Sequence, residues 1–173
     1  PPSAVRGVLS AIYSKPPEFY WQVKRIEVLN PLNYVNFRRN EVKCKMGAKP
    51  FLVEDERTQR QTVALKNVRY RITAQMVPQP GFTGGQRQKR GQCFFQPSLG
   101  LREFPAYFSW GSSGKPPVKD LNLDLGYMLY DVFNLHDCKV WKKCRPCVSL
   151  FHAQVRGGVL EVPPYDDARV LKP

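Results

Sequence analysis

The sequence predicts an α+β fold: a ferredoxin-like (RRM-like) sheet carrying one helix, with its first strand expected upstream of residue 1. Three observations lead there. A short amphipathic helix opens the chain, alternating strands follow it, and a Gly/Pro-rich break precedes a second short helix and more extended sequence. The order helix, strand, strand, strand, short helix, strand is βαββαβ without its first member. The sequence is therefore read as an N-terminally incomplete copy of that fold. Such a sheet buries the helix on one face and leaves the other face open.

Ser3 is read as the N-cap of a helix over 3–14, with the proline before it suiting the entry. Val5, Val8, Leu9 and Ile12 form one apolar stripe, and Arg6, Ser10 and Tyr13 share a different, polar face. Pro16 and Pro17 end the helix near Ser14. The aromatic and β-branched run 19–32 reads as a strand whose alternation slips near Lys24–Arg25, the mark of a bulge. Residues 33–45 are extended and basic, an elaboration of the basic fold, and 46–61 form a polar connection. Residues 68–76 alternate cleanly, with Tyr70, Ile72 and Ala74 to one side and Arg69, Arg71 and Thr73 to the other. The stretch 78–92 is rich in Gly, Pro, Arg and Lys, with a short helix expected around 86–90. Strands are expected within 93–110, at 123–133 and at 158–163, and 111–120 is a connector.

The charge narrows the partner. Lys and Arg number 27 against 14 Asp and Glu, a net charge of +13 in 173 residues. A small domain that basic pairs with a polyanion, because neutralised phosphates release counterions. No basic amphipathic helix with a bulky apolar face appears, which favours nucleic acid over a membrane surface. No apolar run approaches the roughly 18 residues of a membrane span. Five cysteines, an odd number, without a signal peptide in the sequence imply reduced thiols and a cytoplasmic setting.

"PPSAVRGVLSAIYSKP", "RIEVLNPL", "FRRNEV", "ERTQRQTVALKNVRYRITA", "GQCFFQPSLGLREFPA" and "LGYMLYDV" are collinear with a known pattern. From residue 2 to about 163 the chain resembles the CRISPR-associated RAMP family Cas five (Cas5), subtype d (Dvulg type), of type I-C Cascade. The resemblance implies a ferredoxin-like RAMP domain over 1–110 and a small antiparallel β extension over 111–173. It implies binding of the repeat stem-loop in the CRISPR precursor transcript and cleavage at the 3′ base of the hairpin, with no metal or other cofactor. It also implies retention on the 5′ handle of the guide RNA in Cascade, beside the backbone RAMP subunit and the large subunit.

The family places a catalytic tyrosine at the end of the first helix, and Tyr13 occupies that position. Its companion Lys–His pair has no counterpart here: no histidine lies between Met76 and Gly91. A non-catalytic handle-binding subunit is therefore an alternative, and a generic basic RNA-binding module is a third reading. Arg6 on the polar helix face, Arg38 and Arg39, and Arg57 and Arg60 are candidate RNA contacts. Arg87, Lys89 and Arg90, beside Gly84, Gly85 and Gly91, resemble the glycine-rich RAMP loop, whose backbone can approach phosphates closely. Phe94, Phe95, Tyr107 and Phe108 could stack bases, but their strand-like spacing predicts core packing for at least half of them. His136, Cys138, Cys144 and Cys147 form a weak structural-zinc candidate, with free thiols the favoured reading.

Overall fold

A computed structural model describes residues 1–15, 18–45, 47–80, 95–111, 114–136 and 146–173. The expected contacts Arg87, Lys89 and Arg90, the short helix around 86–90, Phe94, Cys138 and Cys144 lie outside the described residues. The chain divides into two compact units, residues 1–29 with 70–173, and residues 30–69.

The larger unit is a mostly antiparallel sheet with one helix, an α+β arrangement. Helix α1 spans Pro2–Ile12. Pro1, not Ser3, is its N-cap, and Pro2 stands at N1, where a missing N–H and a fixed φ cost nothing. The helix ends one residue before Tyr13, whose backbone turns extended while its N–H still donates to the Leu9 carbonyl at 2.8 Å. The apolar stripe is real: Val5 is buried and Leu9 packs against the core.

Strands β1 (Phe19–Val28), β4 (Tyr70–Pro78), β5 (Leu123–Phe133), β6 (Pro146–Arg156) and β7 (Val159–Glu161) pair in the order β4-β1-β7-β6-β5, and β8 (Val170–Leu171) pairs with β6. The β1–β4 register shifts between Val23 and Arg25, the bulge expected there. The bulge lets Val23 and Ile26 both reach the core while Lys24 and Arg25 stay exposed. The core joins Val23 and Ile26 to Tyr130, Phe151, Ala153, Val155, Leu160 and Val170, so strands from both ends of the sequence close one hydrophobic cluster. Strands beyond residue 111 thus extend the sheet that β1 and β4 begin.

Residues 95–110 form no strand; Ser98 and Pro105 meet in one isolated bridge. Prolines remove ladder donors there, and Gly100 sits at φ +88°.

The smaller unit is a two-stranded antiparallel ribbon, β2 (Asn33–Val42) and β3 (Arg57–Lys66), paired over their whole length. The first half of its second strand lies where a polar connection was expected.

Candidate nucleic-acid interface

Tyr13 follows directly on α1, and its placement is local. Its ring stacks on Phe19 at 5.6 Å and 16° between planes, and Phe19 meets Trp21 edge-on at 5.5 Å. The Trp21 indole N–H donates to the Tyr13 carbonyl at 2.8 Å. Ring and backbone are both fixed, so the phenol is presented from a rigid support.

Arg6 is turned toward the sheet. Its Nε and Nη2 both bind the Asp131 carboxylate on β5, Nη2 at 2.6 Å. Asp131 is buried, with 2% of its side chain exposed, and Oδ1 also accepts the Val132 and Phe133 N–H groups at 2.8 and 3.0 Å. The pair anchors the helix on the sheet and commits the Arg6 guanidinium to a buried carboxylate. Sequence did carry a signal for this: a lone acid in the apolar run "YMLYDVF" needs a cationic partner.

In the ribbon the four expected arginines separate. Arg39 and Arg60 approach Glu41 at 3.7 and 3.1 Å, and Arg39 also lies 5.4 Å from the Phe37 ring centroid. Arg38 and Arg57 are exposed, on the other face of the ribbon.

The aromatics after residue 94 correct an expectation. Phe95, Tyr107 and Phe108 are all exposed, Tyr107 at 92%, and neighbouring Trp110 is exposed at 91%. They offer bare rings of the kind that stack on bases.

Sequence reasoning missed a cleft of about 490 Å³ between β4, β1 and the segment after β7. Tyr20, Lys24, Gln75, Tyr165 and Asp166 line it. Its size is that of a small-ligand site, but Tyr165 is buried and the carboxylates of Glu161 and Asp166 stand beside Lys24, so its lining is mixed in charge. Burial and nearby Asp166 raise the Tyr20 phenol above its ordinary range. The period-2 spacing of Tyr20, Gln22 and Lys24 was the legible signal.

The two histidines have defined partners. His136 Nε2 lies 3.5 Å from Asp166, and its ring is edge-on to Tyr165 at 5.2 Å. His152 Nε2 lies 3.2 Å from Asp124, with its ring edge-on to Tyr127 at 5.7 Å. Of the zinc candidates, His136 and Cys147 are described, Cys147 as a free thiol. Among the described residues no group of three His, Cys, Asp or Glu could hold a metal ion.

No family model matches the chain. Two relatives do. A protein of Thermus thermophilus named CRISPR pre-crRNA endoribonuclease Cas5d is 43% identical, the match covering 94% of this chain and 79% of that protein. A protein of the same name from Mannheimia succiniciproducens is 34% identical, covering 95% of this chain and 83% of that protein. Among solved structures, a functionally uncharacterized protein of Streptococcus mutans superposes with a TM-score of 0.53 at 16% identity, covering 97% of this chain and 82% of that one, a likeness of fold.

Proposed function

Because the chain belongs to the Cas5d family, we propose that it processes the CRISPR precursor transcript as an endoribonuclease. The observation that carries this is identity of 43% across nearly the whole chain to a named pre-crRNA endoribonuclease. The cut falls at the 3′ base of the repeat hairpin, and the protein then stays on the 5′ handle of the guide RNA, in the cytoplasm. There it sits beside the backbone RAMP subunit and the large subunit of Cascade. Residues 1–110 are read as a ferredoxin-like RAMP domain and 111–173 as its antiparallel β extension; a helix packed on antiparallel strands supports this.

Cleavage of RNA without a metal uses the ribose 2′-OH as nucleophile. That oxygen loses its proton and attacks the adjacent phosphorus in line. The bond to the 5′-oxygen breaks, that oxygen takes up a proton, and a 2′,3′-cyclic phosphate remains. Tyr13 is the side chain assigned here to proton exchange or to a hydrogen bond on the phosphate, since a phenol both donates and accepts. Its support is its position directly after α1 and the rigid stack on Phe19. Exposed arginines supply charge for the phosphate, as positioned cations stabilise the phosphorane. Arg38 and Arg57 are the described candidates, and Arg87, Lys89 and Arg90 remain assigned by sequence.

The test is cleavage of repeat RNA in EDTA by the protein expressed from its native gene. The product carries a cyclic phosphate, and Tyr13→Phe slows single-turnover cleavage by about 10²-fold or more while leaving affinity within twofold. Tight binding without a cyclic-phosphate product from the parent protein would turn the assignment to a handle-binding subunit without cleavage.

A further inference from the structure

The β2–β3 ribbon sorts its side chains by chemistry as well as by exposure. Residues directly opposite in an antiparallel ladder share a face. One face holds the pairs Phe37↔Thr62, Arg39↔Arg60 and Glu41↔Thr58. Most of these side chains are half-buried, and the arginines approach Glu41. The other face holds Asn36↔Val63, Arg38↔Gln61, Asn40↔Gln59 and Val42↔Arg57, continued by Tyr34↔Leu65. Asn36, Arg38, Asn40, Arg57, Gln59 and Gln61 are all exposed there, and no carboxylate stands among them.

We infer that this exposed ribbon face is a base-reading surface for unpaired RNA, with the four amides of Asn36, Asn40, Gln59 and Gln61 addressing base edges. Each primary amide offers a donor and an acceptor together, the pairing that reads the edge of a base. Arg38 and Arg57 lie among them to neutralise phosphates, and Tyr34, 69% exposed, gives a ring for stacking. Side chains on one strand face recur about every 6.8 Å, so the amides form a grid and not a single contact.

Three points select the occupant. Solubility is served by charges, lysine above all, whereas neutral amides add none. A protein partner asks for an apolar or aromatic anchor at the centre of its site, whereas the centre of this face is the Arg38↔Gln61 pair and its exposed apolar side chains, Tyr34, Val63 and Leu65, lie toward one end. Residues 30–69 carry nine Lys and Arg against four Asp and Glu, which suits a polyanion. The unpaired state follows because the A-form major groove is too deep and narrow for side chains to read.

This inference rests on the reading that the protein binds repeat RNA, and it names where sequence is sensed. The experiment compares two RNAs, the repeat hairpin with its natural unpaired flanks and the same hairpin with abasic flanks, which keep the phosphates but lack the bases. The parent protein should bind the natural form at least tenfold more tightly. The fourfold variant Asn36→Thr, Asn40→Thr, Gln59→Thr, Gln61→Thr, using a residue that suits strands, should bind both forms equally. Far-UV circular dichroism checks its fold. The β3 pair Gln59→Thr, Gln61→Thr alone should cost at least threefold in the same preference, and decides the matter if the fourfold variant does not fold. Should a folded variant keep the full preference, or the parent show none while still binding the hairpin, the ribbon reads no bases and the inference falls alone. Failure of the parent to bind either hairpin would instead remove the repeat-RNA reading on which it stands.

Discussion

Asp131 receives four N–H groups at once: two from Arg6 and two from the backbone of Val132 and Phe133. Removing one partner of such a buried pair leaves the other charged and unsatisfied. Asp131→Ala should therefore lower the unfolding free energy by about 3–5 kcal/mol, read from urea denaturation. The double replacement Arg6→Met, Asp131→Leu should recover a large part of that loss, because neither charge then remains. Tyr130 makes a different prediction. Its hydroxyl donates to the Pro163 carbonyl at 2.9 Å and accepts from Gln22 Nε2 at 2.8 Å, and burial pushes its phenol far above the ordinary tyrosine range. An unfolded tyrosine ionises near pH 10, so above about pH 10 the unfolded chain sheds a proton that the folded one retains. The contribution of Tyr130 is complete below that pH and declines above it, by up to about 1.4 kcal/mol per pH unit. Melting midpoints between pH 8 and 11 should fall less steeply in Tyr130→Phe than in the parent. Of these residues, the need of Asp131 for a cationic partner had a signal in the sequence, but the identity of that partner did not. The partner of Arg6 lies 125 positions downstream, and no local pattern reports so distant a pairing.

At the level of elements, sequence was legible wherever one face is buried. Strand β5 was read at its observed limits, and the β1 bulge was visible as a slip in alternation. Strand β3 was missed because the ribbon has no deeply buried face, so "RTQRQTVALK" carries no apolar period. Strand β6 was missed because two of its core positions are Ser149 and Ala153, while Val148 faces solvent. The aromatics of 95–110 imitated a strand that prolines do not permit. The β6–β7 turn supplies an element-scale test. Gly157 and Gly158 have φ of +56° and +77°, as a tight hairpin turn requires. A Cβ on Gly158 would lie 2.6 Å from the Val118 carbonyl oxygen, whereas one on Gly157 would meet its nearest neighbour at 3.7 Å. Gly158→Ala should thus lower the melting midpoint clearly more than Gly157→Ala, since strain from positive φ is common to both and the backbone clash belongs to one.

For the molecule as a whole, charge dominates. A protein with a net charge of +13 that grips RNA through phosphates should lose affinity steeply with salt. A plot of log affinity against log salt should have a slope near −0.7 for each single-strand phosphate neutralised. Replacing Arg38 and Arg57 with glutamine should make that slope shallower by about 1 to 2, while Arg39→Gln should leave it nearly unchanged because Glu41 already answers that arginine. The α+β class was legible from the order of elements, but the way both ends of the sequence share one sheet was not. That sharing depends on β1–β7 pairing, which spans more than 130 positions and leaves no periodic trace.

That closure also has a temporal side. Phe151, Leu160 and Val170 line the same cluster as Val5 and Val23. During synthesis the ribosome releases the early strands long before their late companions exist. Until residue 170 emerges, the apolar side of β1 is only partly covered, by α1, in the growing polypeptide. Slower translation would lengthen that exposure, so cool expression with abundant chaperone should raise the soluble yield more than codon changes that speed only the opening segment.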